Sequence, residues 1–78
     1  MSDTHALSTS AESSSLHIAA IKTNSKTLLR LMGLGLVTGK KIEVLRNRKG
    51  DIVLGSDNSR ISLGRSIAEK ILVHEVSE

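Results

Sequence analysis

Residues 16–21 show the alternation of apolar and other positions that is typical of a short β-strand. Leu16, Ile18 and Ala20 fall on one face of such a strand. A polar Thr-Asn-Ser segment then interrupts the pattern. We therefore predict a first strand that ends near Lys22.

The apolar positions that follow repeat with helical spacing. Three of them lie at i, i+3 and i+4 on one face, namely Leu28, Leu31 and Met32. Asn24 and Ser25 are both favourable N-cap residues, and Gly33 stands where a helix commonly ends in the left-handed conformation. The pattern predicts a two-turn helix over residues 25–32.

Residues 33–39 form a glycine-rich segment that carries large aliphatic side chains. Each of its three glycines costs about 1 kcal/mol relative to Ala inside a helix, so we expect a loop here. Two roles are open to Leu34 and Leu36. Either they plug one end of the folded domain, or they form an edge on which a partner docks.

Alternation of period two returns at Lys40 and continues, with interruptions, through the rest of the chain. It predicts four more strands, over residues 40–46, 52–54, 60–63 and 71–76. In the first of these strands, Ile42, Val44 and Arg46 share one face.

The connections between these strands are short. Gly50 is available for a positive φ in the turn at residues 47–51, and Asp57-Asn58 is a tight hairpin signal. Residues 65–70 are long enough for one helical turn. Five short strands joined by tight turns predict a mostly β fold, a small and strongly bent antiparallel barrel.

Residues 1–15 differ in composition from the rest of the chain. They hold six Ser and two Thr and few apolar side chains. This composition predicts a flexible Ser-rich tail, in which Leu7 is the one residue able to anchor on the domain. We therefore expect a tail over residues 1–15 and a single domain over residues 16–78.

The composition of the 78 residues excludes several kinds of recognition and catalysis, because Cys, Pro, Phe, Trp and Tyr are absent. Without Cys there are no disulfides, no thiol catalysis and none of the usual structural zinc sites. Without aromatic side chains there is no stacking platform for bases and no aromatic groove for proline-rich peptides. Recognition must rest on aliphatic surface, backbone and charge.

Positive charge is concentrated after the Ser-rich segment. Residues 16–78 carry eleven bases against six acids, a balance of +5. Six of the bases lie in and around adjacent predicted strands: Lys40, Lys41, Arg46, Arg48, Lys49 and Arg60. One positive patch there would suit nucleic acid, an anionic membrane surface or an acidic protein, although ordinary solvated strand faces have the same composition.

The sequence contains no pattern of a membrane-spanning or secreted protein. The longest uncharged apolar stretch, residues 31–39, is well short of the roughly 20 residues of a membrane span. The first residues lack the basic and apolar regions of a signal peptide. We therefore expect a cytoplasmic protein.

The histidines are the most plausible neutral metal ligands. His17 and His74 lie in the first and last predicted strands, so a site made from both requires those strands to be neighbours. Solvent-facing strand histidines are the more common case, and we predict no metal site. No nucleophile–base motif is present either, so we predict no catalytic residues, no cofactor and no enzymatic activity.

The run from Arg30 to Gly39 resembles the signature of the FeoA family, small accessory proteins of bacterial ferrous iron uptake. The marked positions of Arg-Leu-x-x-Leu-Gly-Leu-x-x-Gly are occupied here by Arg30, Leu31, Leu34, Gly35, Leu36 and Gly39. The ending Ala68-Glu69-Lys70-Ile71-Leu72-Val73 is similar to the Ala-x-x-Ile-x-Val of the family. Thr38 and Ile52 stand where the family commonly has proline.

The resemblance implies an SH3-like barrel and a non-enzymatic role beside FeoB, the membrane Fe²⁺ transporter with a GTP-binding cytosolic part. We expect docking through the glycine-rich loop and the neighbouring basic residues: Arg30, Leu34, Leu36, Lys40, Lys41 and Arg46. The inner membrane surface is a second anionic partner for the same charges. The alternative function is nucleic-acid binding through phosphate contacts, and direct Fe²⁺ carriage lacks a ligand set.

Overall fold

The computed structural model describes residues 4–76 as a small β-domain with two short helices. Its elements, in chain order, are β1 (His5–Ala6), a 3₁₀ turn (Leu7–Thr9), β2 (Ser15–Ile21), α1 (Ser25–Gly33), β3 (Lys41–Arg48), β4 (Asp51–Ser56), β5 (Ser59–Leu63), α2 (Arg65–Ala68) and β6 (Ile71–Glu75). The predicted mostly β class, the first helix and the later helical turn are confirmed. The described strands number six rather than five, because β1 lies in the segment predicted as a tail.

All six strands form one antiparallel sheet in the order β1-β6-β2-β3-β4-β5. The last strand of the chain therefore lies between the first two. The sheet wraps around a single aliphatic core, to which the helices and the 3₁₀ turn also contribute. The buried apolar residues are Leu7, Leu16, Ile18, Leu31, Leu36, Ile42, Val44, Ile52, Leu54, Ile61, Leu63, Ala68, Ile71 and Val73. The core is filled without aromatic rings, by branched side chains at alternate strand positions.

Part of the segment predicted as a flexible tail belongs to this core. Leu7 is fully buried, and β1 pairs with β6 through His5 opposite Val73 and Ala6 opposite Leu72. The structure thus differs from the predicted domain boundary at residue 16. Residues 1–3 of the predicted tail and residues 77–78 of the predicted domain lie outside the described residues.

One side chain of β3 holds the Ser-rich segment in place. The Asn47 side-chain amide donates hydrogen bonds to the carbonyls of Ser8 (3.1 Å) and Ser10 (2.7 Å). The Asn47 backbone N–H donates to the Glu12 carboxylate (2.8 Å). Composition misses this arrangement because the ordering contacts are a single leucine and hydrogen bonds to backbone groups, neither of which requires an apolar-rich sequence.

A β-bulge in β3 overturns the predicted facing of Arg46. The register between β3 and β4 shifts between Val44 and Arg46, so that Val44 lies opposite Leu54 and Arg46 opposite Val53. Leu45 is the extra residue. Because a bulge reverses the alternation beyond it, Arg46 lies on the exposed face instead of sharing the buried face of Val44.

Helix α1 begins as predicted and ends one residue later than predicted. Asn24 is the N-cap, and its side-chain oxygen accepts from the Thr27 N–H at 2.8 Å. The positive φ predicted for Gly33 occurs instead at Gly35, where φ is +85°. Gly33 is the last residue of the helix, so the chain leaves the helix through Gly35.

The exit from α1 has the hydrogen bonds of a Schellman motif. The Leu36 N–H donates to the Leu31 carbonyl and the Gly35 N–H donates to the Met32 carbonyl, each at 2.9 Å. This motif commonly includes an apolar contact across the turn, and both Leu31 and Leu36 are buried in the core. The local geometry therefore decides which leucines of the loop point inward.

Candidate functional site

The most prominent surface feature is a cluster of exposed aliphatic side chains on α1 and the loop that follows it. Within the described residues, five large apolar side chains are exposed, and four of them lie between positions 29 and 37. These four are Leu29 (66% exposed), Met32 (49%), Leu34 (47%) and Val37 (40%). We call them the helix–loop surface.

The geometry of α1 and its exit explains this exposure. Leu29 and Met32 are three residues apart and lie together on the outer side of the helix, whereas Leu31 points into the core. Leu34 precedes the positive-φ glycine and stays outside, and Leu36 follows it and turns inward. Alternate leucines of one short segment therefore have opposite environments.

Leu36, predicted as a docking residue, lies in the core. Its side chain is fully buried, which agrees with the plugging role weighed for the two loop leucines. The reason is the Schellman geometry, which places the residue after the glycine against the helix. Leu34 is the loop leucine that a partner can reach.

Both ends of the loop are held by backbone hydrogen bonds. The helix exit anchors one end at Gly35, and the Gly39 N–H donates to the Ile18 carbonyl at 2.7 Å at the other end. Gly39 also has a positive φ of +91°, and the Ile18 N–H donates back to the Lys40 carbonyl at 3.0 Å. The helix–loop surface is therefore presented on a fixed backbone.

The surroundings of the helix–loop surface are basic. Residues 13–42 contain five bases and no carboxylate side chain. Lys26 and Arg30 are exposed on α1 itself. Lys40 at the loop end is instead paired with Asp57, its Nζ lying 2.7 Å from a carboxylate oxygen.

The remaining predicted docking residues lie elsewhere on the domain. Lys41 is opposite His17 on the β2–β3 pair. Arg46 lines an open groove of about 340 Å³ on the outer side of β3, β4 and β5. This outer groove is lined by Leu45, Arg46, Val53, Arg60 and Ser62. The structure thus brings Arg30 and Leu34 together on one segment and separates them from Arg46.

Carboxylates lie among the six bases predicted to form one positive patch. Asp57 binds Lys40, and Asp51 lies opposite Arg48 across the β3–β4 pair. Gly55 on β4 lies opposite Arg60 on β5 and opposite Glu43 on β3, so these two charged residues occupy the same row across the sheet. Positive and negative groups are interspersed on these strands, in contrast to the carboxylate-free segment that carries the helix–loop surface.

The sheet order brings His17 and His74 together. They lie directly opposite each other on β2 and β6, with ring centroids 5.5 Å apart and planes inclined by 43°. His5 is separate from them, and its Nε2 lies 3.0 Å from the Ser10 hydroxyl. Among residues 4–76, no group of three or more His, Cys, Asp or Glu side chains has the arrangement of a metal site.

Sequence reasoning missed Leu29, Met32 and Val37 as surface residues. Met32 shares the predicted apolar face of the helix with Leu28 and Leu31, but it is half exposed. A signal was available for Leu29, which lies outside the i, i+3, i+4 set that defines the buried face.

In the described part of the chain, neither helix has the length and apolarity to span a membrane.

The bent antiparallel sheet and its short helices define the class of the protein as a small SH3-like β-domain. A family model described as the FeoA domain matches residues 5–75. The chain therefore belongs to the FeoA family, as the signature from Arg30 to Gly39 indicated. The match begins at His5, in agreement with the inclusion of β1 in the fold.

Individual relatives are consistent with this assignment. An Fe²⁺ transport protein A from Methanocaldococcus jannaschii is 37% identical over 46 residues, which are 59% of this chain and 56% of that protein. The chain thus spans about half the length of the curated relative that it matches.

Two solved structures illustrate the range of the fold. A FeoA protein from Chlorobium tepidum superposes with a TM-score of 0.82 at 28% identity, covering 92% of this chain and 70% of that one. A manganese-dependent transcriptional repressor gives a TM-score of 0.88 at 20% identity, covering 97% of this chain and 44% of that one. The similarity to the repressor is one of fold alone.

Proposed function

We propose that this protein is a non-enzymatic accessory protein of ferrous iron uptake that binds the cytosolic GTP-binding part of a FeoB-type membrane transporter. Family membership and the name of the M. jannaschii relative support the link to Fe²⁺ transport. The protein acts in the cytoplasm, where the inner face of the membrane is a second anionic surface. The helix–loop surface is the docking site.

The proposal rests on one observation: some residues of the FeoA signature have a role in folding, and others do not. Four of its six marked residues have a role in folding: Leu31 and Leu36 are buried, and Gly35 and Gly39 have positive φ. The other two, Arg30 and Leu34, are exposed. Because folding does not account for these two side chains, they are the best candidates for contact with a partner.

The physical properties of the helix–loop surface suit a protein partner. Covering exposed aliphatic side chains contributes about 25 cal/mol for each Å² removed from water. The loop backbone is fixed at both ends, so little conformational entropy is lost on docking. Lys26 and Arg30 add positive charge at the rim, which favours approach to an acidic partner surface.

Nucleic-acid binding is less well supported. Phosphate binding requires a surface that neutralises several phosphates at once. On β3, β4 and the turn that follows β4, however, Glu43, Asp51 and Asp57 lie among the basic residues. The helix–loop surface is mainly apolar, which fits a protein better than a phosphate backbone.

A pair of matched substitutions tests the docking site. Leu34→Glu places a charge in the helix–loop surface, and Leu45→Glu makes the same change at a similarly exposed leucine in the outer groove. Binding to the purified cytosolic domain of the cognate transporter is measured by isothermal titration calorimetry. We expect Leu34→Glu to weaken binding at least tenfold, because a charge would be buried unpaired, and Leu45→Glu to change it less than threefold.

The matched design separates docking from net charge. Both variants lower the net charge by one, so a purely electrostatic attraction would be weakened equally in the two proteins. Equal losses would therefore contradict docking through the helix–loop surface. Unchanged binding of Leu34→Glu, with the fold verified by circular dichroism, would also overturn the assignment of the site.

A further inference from the structure

His17 and His74 form a cross-strand pair that the proposed docking function does not use. They occupy directly opposite positions on the antiparallel strands β2 and β6. Residues opposite each other in this way have Cβ atoms about 4.5–5.5 Å apart, close enough for their side chains to share one ligand. Both histidines are half-buried, so the rings are supported by the protein and remain open to solvent on one side.

The position of the pair leaves both rings outside the core. Leu16 and Ile18, on either side of His17, are buried, and so is Val73 beside His74. Alternation along each strand therefore directs the two imidazoles to the outer face of the sheet. The backbone ladder between β2 and β6 fixes their separation.

We propose that His17 and His74 form a two-histidine chelate site for a borderline divalent transition-metal ion such as Zn²⁺ or Ni²⁺, with the remaining coordination positions open. Imidazole nitrogen is a preferred ligand of these ions. The open positions are available to water or to a ligand from another molecule. The site is independent of docking to the transporter.

The separation of the rings fits a shared metal ion. A metal–nitrogen bond of about 2.0–2.1 Å places the ion about 3.2 Å from each ring centroid. The observed centroid separation of 5.5 Å is less than twice this distance, so the rings are close enough for one ion to bind both.

One neighbour of His74 favours a defined ligand atom. The His74 Nδ1 lies 3.4 Å from the carbonyl oxygen of Glu75. When Nδ1 carries the proton it is directed at this carbonyl, and Nε2 keeps its lone pair for a metal. Histidine ligands in metal sites are commonly oriented by a second hydrogen bond of this kind.

One neighbour of His17 opposes cation binding. Lys41 lies opposite His17 on β3, so its positive charge is on the same outer face as the pair. Glu43 lies two positions further along β3 on the same face, and its carboxylate is the one nearest to Lys41 along that strand. Because Lys41 repels a bound cation, we expect the site to have moderate affinity. Removing the Lys41 charge is a substitution that should strengthen binding.

The proposal is tested by calorimetric titration of the complete chain with ZnCl₂ and with NiCl₂. We expect one ion per chain. His17→Gln and His74→Gln should each weaken binding at least tenfold, because a single imidazole remains. His5→Gln is the matched control and should change affinity less than twofold, since His5 is engaged with Ser10 and is not part of the pair. Lys41→Gln should strengthen binding two- to threefold by removing a neighbouring cation.

A second measurement tests whether the metal binds the folded chain, and the stoichiometry separates chelation within one chain from bridging between chains. A metal held by both strands raises the melting temperature by a few degrees at saturating concentration, because it binds the folded state alone. This rise should disappear in His17→Gln. Absence of binding, a stoichiometry of one ion per two chains, or an equal loss in His5→Gln would overturn the proposal.

Discussion

The helix–loop segment, residues 25–39, and the three-stranded meander formed by β3, β4 and β5 use their side chains differently. In the meander, apolar side chains point inward except for Leu45 and Val53, which line the outer groove. Charged side chains point outward, and acids and bases lie together on the outer face. The helix–loop segment also buries leucines, namely Leu31 and Leu36, but it exposes four further aliphatic side chains and contains no acid.

The difference shows which features of the chain folding accounts for. Alternation in the meander is sufficient to build a core and a solvated face, and acids and bases are interspersed on that face. The exposed side chains of the helix–loop segment add nothing to the core, and leaving them in water forgoes the free energy of burial. Docking of a partner that covers these side chains recovers this free energy, which accounts for aliphatic residues at exposed positions.

Truncation of Leu36 and truncation of Leu34 should differ strongly in their effect on stability. Leu36→Ala should lower the free energy of unfolding by about 2–5 kcal/mol, because it leaves a cavity in a fully packed core. Leu34→Ala, two residues earlier, should change it by about 0.5 kcal/mol or less, since Leu34 is half exposed. Urea unfolding of both variants followed by circular dichroism measures the contrast.

Similar losses in the two leucine variants would contradict the opposite environments assigned to them. Binding to the transporter domain provides the complementary readout. Leu34→Ala should weaken binding while remaining as stable as the parent protein. Leu36→Ala should affect binding only through the fraction of molecules that unfold.

An intermediate effect concerns the backbone that separates the two leucines. Gly35→Ala should cost about 1–2 kcal/mol, because an L-residue is forced to a φ of +85°. Gly33→Ala should be neutral or stabilise the protein by up to about 1 kcal/mol, because Gly33 is the last helical residue. Thermal unfolding of the two variants provides the measurement.

The two glycine variants differ in φ and not in available space. A Cβ added at either position would meet no atom within 4 Å. A loss of stability confined to Gly35→Ala therefore reports the left-handed conformation alone. Equal behaviour of the two variants would place the helix exit at Gly33, where the glycine pattern first indicated it.

Much of the fold was predictable because its local signals are strong. Alternation located β2 to β6 within a few residues, and Asn24 was among the expected N-caps. The bulge at Leu45 was not predictable, because it depends on pairing with β4 rather than on any residue in β3. The same holds for β1, which is ordered by contacts with Asn47 and β6 that are distant in sequence.

The candidate site was predictable only in part. The signature identified Arg30 and Leu34 as residues of interest, and both are exposed. The signature also includes Leu36. The sequence alone does not show that the residue after the left-handed glycine turns into the core while the residue before it stays outside. The pairing of His17 with His74 required the sheet order, which places the last strand beside β2.

The Lys40–Asp57 ion pair, which lies just beyond the helix–loop segment, should matter least for stability. Asp57→Asn should change the free energy of unfolding by less than about 1 kcal/mol, because the Asp57 side chain is 79% exposed and Asn tolerates its positive φ of 56°. Under the proposed docking to an acidic surface of the transporter domain, it should, however, release Lys40 and raise the rate of association two- to threefold at low salt. Lys40→Gln is the matched control, since it breaks the same ion pair but removes the cation, and it should lower that rate. Stopped-flow association at two salt concentrations measures both rates.

Opposite effects of the two variants that vanish at high salt would extend the basic rim of the helix–loop surface to Lys40. Effects in the same direction would show instead that the ion pair acts through the conformation of the loop.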